Sequence, residues 1–383
     1  MMSARSTADR RVHDWFLSRG LPLVLRRRVR VRNLIERAAP VIAGFGAGLV
    51  GHDIAVWLTE RPVGVGFPAG AAAVGAVLGI SALGLPALRR LGGRVWHGAA
   101  WAVIGLFVVA LPLVAADEGW KVAGIPEALA VAAAVVGLTY LGVGSIVLWA
   151  LKFAAIQVGA MITLMSRALP LLMLTVMIFF TNEIWQLMAA MSGDRFWWTT
   201  GFLAAVAVAF MVATIRDEVR ALRESRSASH DSVAMLAGTP LATATEPART
   251  PLSRGELVNA VAVMVMAQAI QAVLFTLGLL VFFLALSAIA VPDALTVAWS
   301  GESVCPSGGE PPCGATLFDV PVGIPRTSLY TAAFVAVLSG LYFTVSSSTD
   351  PMYRQRFFDP LIADIAVSLA GRDVYREREA AHG

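Results

Sequence analysis

Charge is what this chain has least of. Asp, Glu, Lys and Arg make up 15% of its 383 residues, against 57% hydrophobic residues and a mean hydropathy of +0.71. A soluble domain carries about a quarter charged residues, so there are too few here to cover a globular surface. Lysine is nearly missing: Lys121 and Lys152 stand among 30 basic residues, the rest being Arg. Cysteine is limited to Cys305 and Cys313, which excludes a disulfide-dense scaffold, and no CxxC pair exists. The histidines at 13, 52, 97, 230 and 382 have no ligand spacing, and HExxH, GxSxG and Walker A sequences are absent. No catalytic residue, metal site or cofactor is therefore assigned, and no enzyme is expected. A cleavable signal peptide is not expected either, because the first apolar stretch, 12–25, is broken by His13, Asp14, Arg19 and Gly20.

What the chain does have is apolar runs of about 20 residues, the length a helix needs to cross a hydrocarbon core of roughly 30 Å. The runs are continuous rather than alternating, which excludes a transmembrane barrel. They predict an all-α, polytopic transmembrane helical bundle of about eight spans: 39–58, 63–88, 95–115, 128–151, 168–188, 197–215, 256–291 and 328–345. Between the fourth and fifth, Lys152, Gln157, Ser166 and Arg167 punctuate 152–167, which reads as an amphipathic helix at the membrane surface. The seventh run is longer than one crossing requires, so its first turns, with Asn259, stand in the cytoplasm or along the interface.

The domain organisation follows. Residues 1–38 form a basic cytoplasmic segment, 39–215 hold spans one to six, and 216–255 make a polar cytoplasmic linker. Spans seven and eight occupy 256–346 with an extracytoplasmic loop at 292–326, and 347–383 form a cytoplasmic tail. With the N-terminus inside, 26 basic residues fall on the cytoplasmic side and four outside, namely Arg61, Lys121, Arg195 and Arg326. That asymmetry orients both termini to the cytoplasm of a bacterial plasma membrane. It also places Cys305 and Cys313 outside, where they close a disulfide over a turn-rich ring, with 295–299 and 316–320 pairing as a hairpin. The lipid bilayer is the first partner, and the basic inner face attracts anionic lipid. Nucleic acid is not a partner, because no soluble module is present to read it.

Candidate site residues come from an internal comparison. Arg37-Ala38-Ala39-Pro40 matches Arg167-Ala168-Leu169-Pro170 at an offset of 130, and His52-Asp53-Ile54 matches Asn182-Glu183-Ile184 at the same offset. A parallel 4+4 repeat and a chance coincidence both remain open. Asp53 and Glu183 lie 13 residues past prolines that open helices, so about 20 Å along the axis at 1.5 Å per residue. Acidic groups at that depth point to ion or proton handling, with His52 and Asn182 beside them. The bland alternative is that Trp57 and Trp185 mark the outer interface and both acids reach water. Glycines four apart, such as Gly44 and Gly48, predict close helix contact, and Gln268 and Gln271 share a helix face suited to interhelical hydrogen bonds. Gly46-Ala47-Gly48-Leu49-Val50-Gly51 fits GxGxxG but lacks the preceding strand a nucleotide site needs. In the tail, Asp350-Pro351 reads as N-cap and first helical residue, followed by Leu361, Ile362, Ile365 and Leu369 on one face. Such a helix lies on the membrane or docks a protein.

Arg167-Ala168-Leu169-Pro170, Ser253-Arg254-Gly255-Glu256 with Asn259, and Asp350-Pro351 followed by Tyr353-Arg354 and Phe357-Phe358 resemble a family of uncharacterised multi-pass integral membrane proteins of actinobacteria. The resemblance covers mainly the second half of the chain and implies location and topology, not a mechanism. Two function classes follow from all these features. The first is a non-catalytic accessory or scaffold component of the cell envelope; the alternative is a small-solute or ion carrier using His52, Asp53, Asn182 and Glu183.

Overall fold

The structure, a computed structural model, describes residues 11–25, 31, 34–59, 93–114, 124–167, 175–228, 232–242, 250–300, 316–317, 320–321 and 324–380. The described chain is almost wholly helical. In chain order the main helices are α1 (residues 11–18), α2 (Leu34–Thr59), α3 (Gly93–Val114), α4 (Gly124–Leu141), α5 (Val143–Arg167) and α6 (Asn182–Ala190). They continue with α7 (Gly193–Ala228), α8 (Arg254–Ala290), α9 (Asp293–Ser300), α10 (Arg326–Thr349) and α11 (Asp359–Ala380). One two-residue antiparallel ladder pairs β1 (Thr316–Leu317) with β2 (Val320–Pro321).

Among the described residues, three helices are long and apolar enough to cross a membrane: Gly193–Leu222 within α7, and α8 and α10 in full. A fourth is counted if α4 and α5 form one broken span. The break is at Gly142, whose φ of +78° is a left-handed conformation that a residue with a Cβ rarely adopts. The expected second span, 63–88, lies outside the described residues.

The chain divides into two compact units, one comprising Met1–Leu25, Gly144–Ser303 and Thr327–Gly383, the other Arg26–Val143 and Val304–Arg326. In the second unit α2, α3 and α4 pack on one another around Ala38, Ile42, Phe107, Ala128 and Ala132. The small residues let the backbones approach. The close contact is at Gly46, where a Cβ would meet the Phe107 ring at 3.2 Å, whereas Gly44, expected as the contact residue, faces open space. Helix α2 begins at Leu34 and carries Pro40 inside it, so Pro40 is not the helix start that the sequence suggested.

The first unit has an aromatic core. Phe179 stacks on Phe283 at 5.1 Å, Phe275 on Phe343 at 4.5 Å, and Phe343 meets Phe357 edge-on. Trp185 is fully buried there and donates its indole N–H to the Phe179 carbonyl at 2.6 Å. It is a core residue of this unit. Helices α8 and α10 cross tightly, since a Cβ on Gly340 would collide with Thr276 Oγ1.

Helix α8 starts on a complete capping box: Ser253 Oγ accepts from Glu256 N, and the Glu256 carboxylate accepts from Ser253 N at 2.9 Å. At the other end, residues 295–299 belong to α9 rather than to a strand. Pro292 supplies the reason: its carbonyl accepts from both Leu295 N and Thr296 N, which opens a helical turn. The hairpin that does form is local to 316–321. Helix α7 runs on to Ala228, well into the stretch read as a solvated linker.

Candidate functional site

The four residues singled out for ion handling fall in different surroundings. His52 and Asp53 sit inside the continuous helix α2, and their side chains lie outside what is described. Asn182 and Glu183 open the short helix α6 after a break at Thr181, and both are exposed. The two pairs belong to separate units, and their local structures differ: one is in mid-helix, the other in a first turn. The 13-residue depth argument therefore does not carry over to Glu183. Cys305 and Cys313 lie outside the described residues.

A second polar set, on α8, is brought together by the fold. Gln268 Nε2 donates to Ser347 Oγ of α10 at 2.8 Å, and Gln271 Nε2 donates to Gln157 Oε1 of α5. All four residues are buried. These are the interhelical hydrogen bonds that the spacing of Gln268 and Gln271 predicted. Two buried amide atoms on the same helix, Asn259 Nδ2 and Gln268 Oε1, have no hydrogen-bond partner among the described residues.

At the beginning of α8 the polar groups become ionic. Glu256 meets Arg372 of α11 through a bidentate pair, Nε to Oε1 at 3.0 Å and Nη2 to Oε2 at 2.7 Å. The side chains are only 2% and 4% exposed. Arg376 adds a second cation to the same carboxylate at 3.0 Å. The Arg372 fork also donates to Asp373 at 2.9 Å, to the Thr250 carbonyl and hydroxyl, and to the Pro251 carbonyl. Burial by itself lowers a guanidinium, but Glu256 and Asp373 outweigh it and hold Arg372 above its ordinary pKa. Arg372 is thus a permanent charge with its donors satisfied.

Two further ion pairs fix the tail. Arg19 donates to Asp364 at 2.7 Å and lies over the Trp15 ring. Burial pushes the Asp364 carboxyl up, and the Arg19 charge offsets this only in part. Arg354 bridges Glu218 of α7 at 2.9 Å and Asp359 at 3.0 Å, with its guanidinium over Phe358. Asp350 caps the next turn as expected, accepting from Met352 N at 2.9 Å. A π-helical turn, Arg354–Phe358, then turns both Phe357 and Phe358 inward.

Helix α11 is consequently wrapped rather than laid on a surface. Ser368 to Tyr375 are all buried, against Trp15 and Phe16 of α1, Leu236 and Leu241, and the start of α8. A Cβ on Gly371 would press into the Trp15 ring at 2.8 Å. The sequence offered one clue to the ionic site, the capping signature Ser253-Arg254-Gly255-Glu256. Nothing in it tied Glu256 to an arginine 116 residues away. Among the described residues no group of His, Cys, Asp and Glu is placed to hold a metal, and Glu256, Arg354, Asp364 and Arg372 are each engaged in an ion pair. No protein-family model, curated protein or solved structure matches this chain.

Proposed function

We propose that this is a non-catalytic accessory or scaffold protein of a bacterial plasma membrane, with about eight spans and both termini in the cytoplasm, akin to the actinobacterial multi-pass proteins it resembles. The observation that supports this reading is the Glu256–Arg372 clamp. It joins the C-terminal helix to the start of an apolar spanning-length helix, and the Arg19–Asp364 pair ties the N-terminal segment to the same C-terminal helix, which together make one cytoplasmic platform. A buried, fully hydrogen-bonded ion pair specifies one arrangement of the elements it joins, which suits a docking surface. The tail presents Gln355, Arg356 and Glu377 outward for a partner. Cys305 and Cys313 close a small extracytoplasmic cap.

Purification in mild detergent tests the scaffold reading. A stoichiometric partner that is lost on combined Arg356→Ala and Glu377→Ala is the expected result, and a protein that remains alone under every condition defeats it. Topology is checked in a background with both cysteines changed to Ser. In intact cells, cysteines placed at 230 and 382 should resist an impermeant thiol reagent, and one at 310 should react.

The carrier is the second reading. It draws support from the unpartnered amide atoms of Asn259 and Gln268, polar groups of the kind that line a pathway. Liposome flux decides for it: ion movement that disappears with Asp53→Asn or Glu183→Gln would replace the scaffold.

A further inference from the structure

Helices α7 and α8 enclose a groove of 490 Å³, within the range of ligand-sized sites. Val212, Arg216 and Arg220 recur every fourth residue along one stripe of α7, and Leu257, Val261 and Val265 do the same on α8. Along α7 the lining passes from Val212 to two arginines, Arg216 and Arg220, while every residue that α8 contributes is aliphatic. Val258 on its rim is 63% exposed. Arg216 has no ion pair among the described residues, and Arg220 has only an exposed 3.4 Å contact with Asp217 on its own helix. Neither charge belongs to the clamp network.

The level of these arginines follows from α7 itself. Trp197 and Trp198, 62% and 81% exposed, stand at its start, as aromatic residues do at a membrane interface. Arg216 lies 19 residues further on (216 minus 197), about 28 Å at 1.5 Å per residue, close to the roughly 30 Å of a hydrocarbon core. The arginines therefore stand at the depth of the opposite phosphate layer, with the aliphatic end of the groove inside the acyl region. We propose that the groove binds one anionic glycerophospholipid of the cytoplasmic leaflet, its phosphate between Arg216 and Arg220 and one acyl chain along Val212, Val261 and Val265. The charge complementarity and the aliphatic continuation select a lipid over a soluble anion. This proposal rests on the membrane reading above and narrows it to one site.

The test uses the full-length protein extracted in mild detergent and titrated with phosphatidylglycerol or phosphatidylcholine, with bound lipid counted by native mass spectrometry. Phosphatidylglycerol should bind one to one and more tightly than phosphatidylcholine. Arg216→Gln with Arg220→Gln should weaken it about 25-fold, at about fivefold for each basic group near anionic lipid. Ala262→Phe, which fills the groove and spares both charges, should weaken it as well, while Arg195→Gln at the far end of α7 should not. Equal binding of the two lipids overturns the proposal, as does a loss confined to the arginine variants, which would mean diffuse attraction without a groove. A dimer seated on this face also overturns it. Recovery of the protein in the aqueous fraction without detergent would instead overturn the membrane reading on which it stands.

Discussion

The second unit joins α2, α3 and α4 through alanines, one isoleucine and the Gly46–Phe107 contact; its one ion pair between side chains among the described residues, His97 to Glu36 at 3.2 Å, is on the outside. The first unit also has an apolar core, yet its tail is tied to α1, α7 and α8 by arginine–carboxylate pairs, one of them almost fully buried. Both have apolar helices; what differs is how one arrangement is chosen among many. Small-residue packing tolerates sliding and rotation, because neighbouring registers bury similar area. A bidentate ion pair does not, since any other register leaves a charge unpaired in a dry site.

Breaking the clamp should have the largest effect. Arg372→Met leaves Glu256 buried with only the half-exposed Arg376, and should cost about 3–5 kcal/mol in thermal unfolding in detergent. Adding Glu256→Met should restore part of that loss, because the Glu256 carboxylate is then no longer buried without its bidentate partner. If the single substitution is silent, the contrast between the units is wrong.

Next is the α8–α10 crossing. Gly340→Ala drives a methyl against Thr276 Oγ1 and should cost about 1–3 kcal/mol by overpacking. A double-mutant cycle with Thr276→Ala should recover much of it, and strict additivity would show that the crossing does not depend on this contact.

The Asp364 carboxyl gives a smaller, pH-dependent effect. Its pKa is raised by burial, so the fold favours the protonated form. Its contribution to stability is complete below the ordinary aspartate value of about 4 and fades as pH climbs through the raised value. Wild type measured against Asp364→Asn should therefore lose ground over that interval, and a difference that grows with pH would reverse the sign. The smallest effect belongs to the second unit. Glu36→Gln removes an ion pair whose histidine is 60% exposed, and should change stability by less than about 1 kcal/mol. A larger loss would show that this unit, too, is fixed by charge.

Features of short range were legible in the sequence. The expected spans at 256–291 and 328–345 correspond to α8 at Arg254–Ala290 and α10 at Arg326–Thr349, because a long apolar run has few alternatives to a helix. The Asp350 cap and the shared face of Gln268 and Gln271 were also readable, since each needs only residues a few positions apart. Residues 295–299 are helical rather than the expected strand because apolar character over five residues does not choose between the two, whereas the Pro292 carbonyl opens a helical turn. The burial of Trp185 was not legible, because the Phe179 carbonyl that takes its indole N–H and the Phe283 ring beside Phe179 are brought together only by the fold.

Composition and run length thus determined that the chain is helical and that several of its helices match a bilayer, because backbone groups in an apolar run are satisfied only within a helix. Tertiary structure alone decided which charges matter. By local sequence Glu256 is one residue of a Ser-Arg-Gly-Glu stretch, and Arg372 and Asp373 are two charged residues late in the tail. They became a buried clamp only when α11 was enclosed by α1, the 232–242 segment and α8. Arg216 and Arg220, of the same residue type and a few turns away, stayed outside that enclosure with an aliphatic groove at their side. Burial and pairing are properties of neighbours in space, and a chain that brings residue 256 to residue 372 records no sign of it in either local sequence.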